Sequence, residues 1–299
     1  MSVAEGEVFG FLGPNGAGKS TCVRMLVTLL SPSAGTARVA GYDVVAESAQ
    51  VRANIGVALQ DAAIDPLMTG RELLKLQAVM HGIGRKEGAE RSDVLLERVG
   101  LTDAADRLVG GYSGGMRRRL DLALALMHEP KVLFLDEPTT GLDPMSRLNL
   151  WEEVRRLNTE LGTTVFLTTQ YLEEADELAH RVAIIDQGRI VREGTPGALK
   201  DAVGCPTLRV DVAPESFERT RELMLGFGEE RAARKGRVAV GLEAGAAAMT
   251  EVVRTLDDAG VEVIHMELDA PSLDDVFADA TGRRLEGAAA EAEVTEPAP

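Results

Sequence analysis

The stretch from Gly13 to Ser20, GPNGAGKS, fits the spacing G-x-x-x-x-G-K-[ST] and lies between an apolar run, VFGFLG, and a helical segment, STCVRMLVTLL. Strand, glycine-rich loop and helix in that order make a cradle for phosphate. Glycines at 13, 16 and 18 let the backbone curl so that its N–H groups converge, and the helix N-terminus adds its dipole. Lys19 then reaches the β- and γ-phosphates of a nucleoside triphosphate, and Ser20 ligates Mg²⁺. On this reading Gly13, Pro14, Asn15, Gly16, Ala17, Gly18, Lys19, Ser20 and Thr21 bind the nucleotide.

Two further stretches carry chemistry. VLFLDEP, residues 132–138, runs from apolar residues into two carboxylates. A parallel strand buried on both faces reads this way, and ligands of such sheets bind beyond the carboxyl ends of the strands. Asp136 is placed to hold Mg²⁺ through water, and Glu137 to accept a proton from an attacking water. Strand position alone leaves a capping or surface role for Glu137 equally open. In YSGGMRRRLDLALALMHEP, Met116, Leu120, Ala123, Leu124 and Met127 follow helical spacing. Ser113 caps that helix, and the two bare glycines behind it leave backbone N–H groups open to an anion, the makings of a second γ-phosphate contact. Arg117, Arg118 and Arg119 read as a solvated face of the same helix.

These stretches need a scaffold, and the chain supplies one. Short β-like runs, EVFGFLG, NIGVALQ, VLFLDEP, TVFLTTQ and RVAIIDQGRIVREG, alternate with amphipathic segments. That is the α/β pattern of a largely parallel sheet covered by helices. Strands vanish between Gln60 and Tyr112, where GRELLKLQAVMHGIG and RSDVLLERVGL predict a helical insertion, about 61–130. Beyond TPGALKDAVGCP the pattern restarts, which predicts a nucleotide domain over 1–204 and a small α/β domain over 205–285. The tail, 286–299, is acidic and of low complexity and is expected to be disordered.

Composition narrows the partners. Of 299 residues, 48 are acidic and 32 basic, a net charge of -16 that disfavours nucleic acid and anionic lipid. Cys22 and Cys205 lack metal-ligand spacing and read as free thiols of a reducing compartment. The start, MSVAEGEVFG, lacks the blocks of a signal peptide, and no apolar run approaches the ~20 residues that cross a bilayer, so a soluble chain without direct lipid insertion is expected. None of the four histidines falls on these motifs; His180 is expected to pack or face solvent.

With GPNGAGKS, SGGM and LFLDEPTTGLDP in this order and spacing, residues 1–200 resemble the ATP-binding subunit of an ABC transporter, an α/β P-loop NTPase with a helical subdomain. The resemblance implies a Mg²⁺-dependent ATPase, working as a homodimer at the cytoplasmic face of the membrane with a separate permease. It implies that Gln60, in VALQD, touches the metal site and links it to the helical insertion. Ser113, Gly114 and Gly115 become the signature that completes the ATP site of the opposite protomer. Asp143, in GLDP, becomes the dimer-interface aspartate, although Asp143 followed by Pro144 also reads as an N-cap with proline at the first helical position. YSGGM, DPLMTGRELL, TTQYLEEADELAHRVAIIDQGRIVREGTP and the distal PSLDDVF look like the daunorubicin-resistance type of drug exporter; PSLDDVF also reads as a capped amphipathic helix around Leu273, Val276 and Phe277.

Two departures from the family stand out. Gln170 occupies the position where most of the family has histidine, so its amide is expected to donate to the γ-phosphate without relaying a proton; the alternative is that it merely ends a strand or caps a helix. In the family, two strands and an adenine-stacking aromatic precede the phosphate loop, whereas only MSVAEGE precedes VFGFLG here, which predicts a start placed too late or a fragment. An ATP-binding regulator with little turnover is therefore one alternative to a transport motor. A soluble ABC protein of translation or DNA repair is another, disfavoured because the chain has neither a second cassette nor a long coiled coil.

Overall fold

The computed structural model describes residues 1–59, 64–231, 233, 236–243 and 245–282, which divide into two units, Met1–Pro196 and Gly197–Arg284. In the first, a strand, β1 (Val8–Leu12), runs into helix α1 (Lys19–Leu26). A short hairpin of β2 (Arg38–Val39) and β3 (Tyr42–Asp43) follows, then α2 (Ser48–Asn54) and β4 (Ile55–Ala58). Three helices come next, α3 (Gly70–Met80), α4 (Arg85–Arg98) and α5 (Gly114–Ala125). The unit continues with β5 (Val132–Asp136), α6 (Pro144–Leu161), β6 (Thr164–Thr169), α7 (Leu172–Leu178), β7 (Arg181–Asp186) and β8 (Arg189–Gly194).

Among the described residues the main sheet has the order β4-β5-β6-β1-β7-β8, with every pair parallel except the last. β8 departs from the sequence expectation. RVAIIDQGRIVREG reads as one β-like run, but Gln187 and Gly188, both at positive φ, fold it into an antiparallel hairpin. Two consecutive positive-φ residues make the turn whose twist matches that of the flanking strands.

The inner strands are buried on both faces, so their apolar residues serve two cores. One face of β1, β5 and β6 contributes Phe9, Phe11, Phe134 and Phe166, with Phe166 at the centre and ring centroids 5.5 to 5.7 Å away. Aromatic pairs in this range contribute about 0.5–1.5 kcal/mol beyond their buried area. The other face supplies Leu133, Leu135, Val165 and Leu167 to a core shared with α3, α4, α5 and α6. Gly56, in β4, has no room for a side chain, since a Cβ there would lie 2.3 Å from Ala125 O at the end of α5.

The second unit opens with α8 (Pro196–Val203) and contains β9 (Thr207–Val212), α9 (Phe217–Met224), β10 (Arg237–Gly241), α10 (Met249–Asp258), β11 (Val263–Asp269) and α11 (Leu273–Thr281). Its sheet is antiparallel, order β10-β9-β11, and alternate residues such as Leu208, Val210, Val238 and Val240 form a core with Val252 and Leu256 of α10. Ser272 and Asp275 make a reciprocal capping box at the start of α11, which buries Leu273, Val276 and Phe277. Among the described residues no helix is long and apolar enough to cross a membrane.

Candidate functional site

The sheet puts the carboxyl ends of β1, β5 and β6 side by side, and the chemistry-bearing residues sit just beyond them. Leaving β1, the chain is fastened to β6 by Gly13 N–H donating to Thr169 O at 3.3 Å. Gly13 is required by closeness rather than by an unusual φ: a Cβ there would lie 2.3 Å from Ile185 O of β7. Gly16 and Gly18 take φ of +80° and +106°, the left-handed conformations that let the loop curl. The β7–β8 turn holds the loop from outside, with Gly188 N–H donating to Ala17 O at 2.9 Å. Gly18 is the N-cap of α1 and offers no side-chain acceptor, so the first N–H groups of that helix face the loop.

Inside the loop, Lys19 is 4% exposed. Its Nζ donates to Gly13 O (2.7 Å) and Pro14 O (3.2 Å) and lies 3.2 Å from Glu137 Oε1. Asp136 and Glu137 are both buried, and Ser20 Oγ donates to Asp136 Oδ1 at 3.3 Å. Thr168 joins the two carboxylate residues: its hydroxyl donates to Asp136 Oδ1 and accepts from Glu137 N–H. Glu137 itself has φ +48°, uncommon for a residue with a side chain, and this bend turns the carboxylate out of the strand line toward Lys19.

Gln170 is half-buried at the end of β6. It does not cap α7, whose N-cap is Tyr171, while Thr169 Oγ1 accepts from Tyr171 N–H at 2.9 Å. Behind this turn Glu174 is fully buried and accepts from Trp151 Nε1–H at 3.1 Å. Burial pushes the Glu174 carboxyl up from the usual carboxylate range, against the pull of the neighbouring Thr169, Trp151 and Thr139 polar groups.

Ser113 caps α5 by accepting from Met116 N–H, and Gly115 abuts α6, where a Cβ would lie 2.7 Å from Ser146 Oγ. Asp143 caps α6 by accepting from Ser146 N–H at 3.0 Å, with Pro144 first in the helix. Among the described residues no hydrogen bond joins Ser113, Gly114 or Gly115 to the Gly13–Thr21 loop. Gln60 lies outside the described residues. His180 Nδ1 accepts from Val8 N–H at 3.1 Å, a packing role.

The solvated-face reading of the arginines fails for two of the three. Arg117 is exposed, but Arg119 donates to Val99 O at 2.8 Å, and the Arg118 side chain is only 10% exposed. Arg118 donates to Leu59 O, Asp136 O and Pro138 O and pairs with Asp121 at 3.1 Å. The reason is helical phase: positions 118, 122 and 125 share one stripe, and Leu122 and Ala125 are buried.

The ABC transporter family profile matches residues 1–140, and that of the C-terminal domain of ATP-binding proteins like DrrA1-3 matches residues 194–281. The daunorubicin resistance ATP-binding protein DrrA2 of Streptomyces coeruleorubidus is 50% identical over 96% of this chain and 90% of its own length. The chain belongs to the DrrA-like ABC transporter ATP-binding proteins. The linearmycin resistance ATP-binding protein LnrL of Bacillus subtilis (strain 168) is 35% identical over 95% of this chain and 93% of its own. A solved dimer of the ATP-binding cassette MJ0796, in a post-hydrolysis state with ADP and Pi, superposes with a TM-score of 0.60 at 26% identity, covering 65% of this chain and 88% of that one.

Like other ABC ATP-binding proteins, the chain is an ATPase that uses ATP with Mg²⁺, and its residues fit both. Gly13, Gly16 and Gly18 leave the loop clear for phosphate, and the buried Lys19 ammonium aims into it. A Ser20 hydroxyl and an Asp136 carboxylate 3.3 Å apart are hard oxygen donors. Mg²⁺ takes few protein ligands and completes its shell with phosphate oxygens and water. Sequence reasoning missed Arg118 and Glu174. The first carries a signal in its buried stripe, the second only in being a glutamate on the inner side of a short helix.

Proposed function

We propose that this DrrA-like ATPase is the motor of an exporter of an antibiotic or similar drug-like molecule, acting as a homodimer with a separate membrane permease. The observation that carries the reading is the joining of Lys19, Ser20, Asp136 and Glu137 beyond the carboxyl ends of the inner strands, within a chain similar along nearly its whole length to a daunorubicin resistance protein. Lys19 draws the γ-phosphate into the loop while Ser20 and Asp136 hold Mg²⁺, which when bound neutralises charge on the β- and γ-phosphate oxygens. Glu137 accepts the proton of the water that attacks the γ-phosphorus, and ADP leaves. The Gln170 amide donates to a γ-phosphate oxygen, and Gln60 orients the water and metal.

In the dimer, Ser113, Gly114 and Gly115 of one protomer close over the ATP of the other, and Asp143 lies at the interface. The net charge of -16 favours a membrane site reached through protein contact rather than lipid attraction. The test is ATP-driven accumulation of daunorubicin in inverted membrane vesicles containing this chain and its permease. Accumulation that vanishes with Lys19→Ala supports the reading. Turnover of ATP with no movement of daunorubicin or any other membrane-soluble antibiotic supplied rejects the export role.

A further inference from the structure

Arg118 joins three segments that carry different parts of the site. It leaves the first turns of α5, the helix opened by Ser113, Gly114 and Gly115, and reaches into the sheet edge. There Nη1 donates to Leu59 O at 2.6 Å, Nη2 to Asp136 O at 2.9 Å and Nε to Pro138 O at 2.9 Å. Asp136 and Pro138 flank Glu137, and Leu59 immediately precedes Gln60. A guanidinium is suited to this because its fork of donors is planar and rigid, whereas an ammonium on a flexible stem reaches fewer such acceptors in fixed directions.

The charge is balanced on site. Asp121, one turn along α5, lies 3.1 Å from Nη1, and Asp136 and Glu174 add attraction from β5 and α7. A buried ion pair is not needed for stability, since apolar residues of similar volume commonly replace one at no loss. Its directional bonds are what an apolar pair cannot reproduce. The bend at Glu137, held at φ +48°, is a conformation that its surroundings must enforce, and two of the three Arg118 bonds grip the carbonyls on either side of it.

We infer that Arg118, oriented by Asp121, is a positioning residue that locks the Glu137 turn and the Leu59 end of β4 to the SGG helix, so that the proton acceptor holds its place relative to bound ATP. The inference rests on the proposed role of Glu137. Arg118 touches neither nucleotide nor water and acts through the backbone.

The experiment compares wild type with Arg118→Met/Asp121→Leu, which removes both charges at similar volume. The expected result is a cooperative melt a few degrees below wild type, because three carbonyls lose their donor, a KM for MgATP within about twofold of wild type, a kcat lower by about tenfold or more, and faster deuterium uptake at Glu137 N–H. Wild-type kcat, or uptake unchanged at Glu137, overturns the inference. Arg118→Lys keeps the charge beside Asp121 but not the three-way fork, and the same kcat loss at unchanged KM is required of it whatever the melting temperature of the double variant. Wild-type turnover in Glu137→Gln would refute the role of Glu137 instead, and the deuterium comparison would still decide Arg118.

Discussion

Replacing Glu137 by glutamine should slow the enzyme and tighten its hold on ATP. The carboxylate lies 3.2 Å from Lys19 Nζ, with both side chains at most 7% exposed, so the pair is desolvated. Hydrogen bonds to charged groups contribute about 1.5–3 kcal/mol and neutral ones about 1 kcal/mol. The amide oxygen of glutamine still accepts from Lys19 but holds it less tightly, so about 0.5–2 kcal/mol of attraction no longer competes with phosphate for the ammonium. Converted to affinity, this is about 2- to 30-fold tighter MgATP binding. Glutamine cannot take a proton from water, so turnover should fall by about 10²–10⁴. Equilibrium binding of MgATP and steady-state phosphate release on the same preparation measure both quantities. An ATP-dependent dimer should accumulate as well, because bound ATP is no longer consumed. Wild-type turnover in Glu137→Gln would refute the proton-acceptor role. Weaker ATP binding would refute the competition between Glu137 and phosphate for Lys19.

Three more outcomes are expected. Gln170→Ala should lower turnover by about 10- to 150-fold, the range of one hydrogen bond to an anion, and Gln170→His should keep substantial activity; full activity in the alanine variant would leave Gln170 as a strand end. Gly13→Ala forces a methyl to 2.3 Å from Ile185 O, so the loop or β7 must shift; destabilisation of about 1–3 kcal/mol and loss of ATP-induced thermal stabilisation should appear together in melting curves. Asp121, pushed by burial from 3.8 to about 6 against the pull of Arg118, holds its proton to higher pH when folded than when unfolded. Its contribution therefore favours the fold as pH falls from 7, by up to about 1.4 kcal/mol per unit between the two values. Urea unfolding at pH 7 and pH 5 should show wild type gaining on Asp121→Asn at the lower pH, and an unchanged gap would show that Asp121 titrates alike in both states.

The sequence is most readable where spacing encodes geometry. Gly13, Gly16, Gly18, Lys19 and Ser20 can be placed on a strand-loop-helix from their order alone, and the VLFL run announces a doubly buried strand because four consecutive apolar residues leave no polar face. Gly13 is a more particular case: composition suggests a glycine for turning, while the structure shows one needed for contact with β7, a neighbour separated from it by well over a hundred residues of chain. The Gln187–Gly188 turn, between Asp186 and Arg189, is a two-residue break between VAII and IV, runs rich in β-branched residues, and such residues read alike in one long strand and in two short ones. Arg118 is harder again. A charge in a run of three arginines looks solvated until helical phase is counted from Leu122 and Ala125, and nothing local announces that Leu59, Asp136 and Pro138 converge on it.

Trp151 is the only tryptophan in the chain, and its indole N–H is held by Glu174 directly behind the turn that carries Gln170. All indole emission thus has a single origin, within one hydrogen bond of the helix that follows Gln170. A change in that carboxylate's protonation, or a shift of α7 relative to α6, alters the polarity around the ring and moves its emission wavelength. The protein carries a built-in optical gauge of this segment, readable in stopped flow without a label at each step of binding, hydrolysis and release.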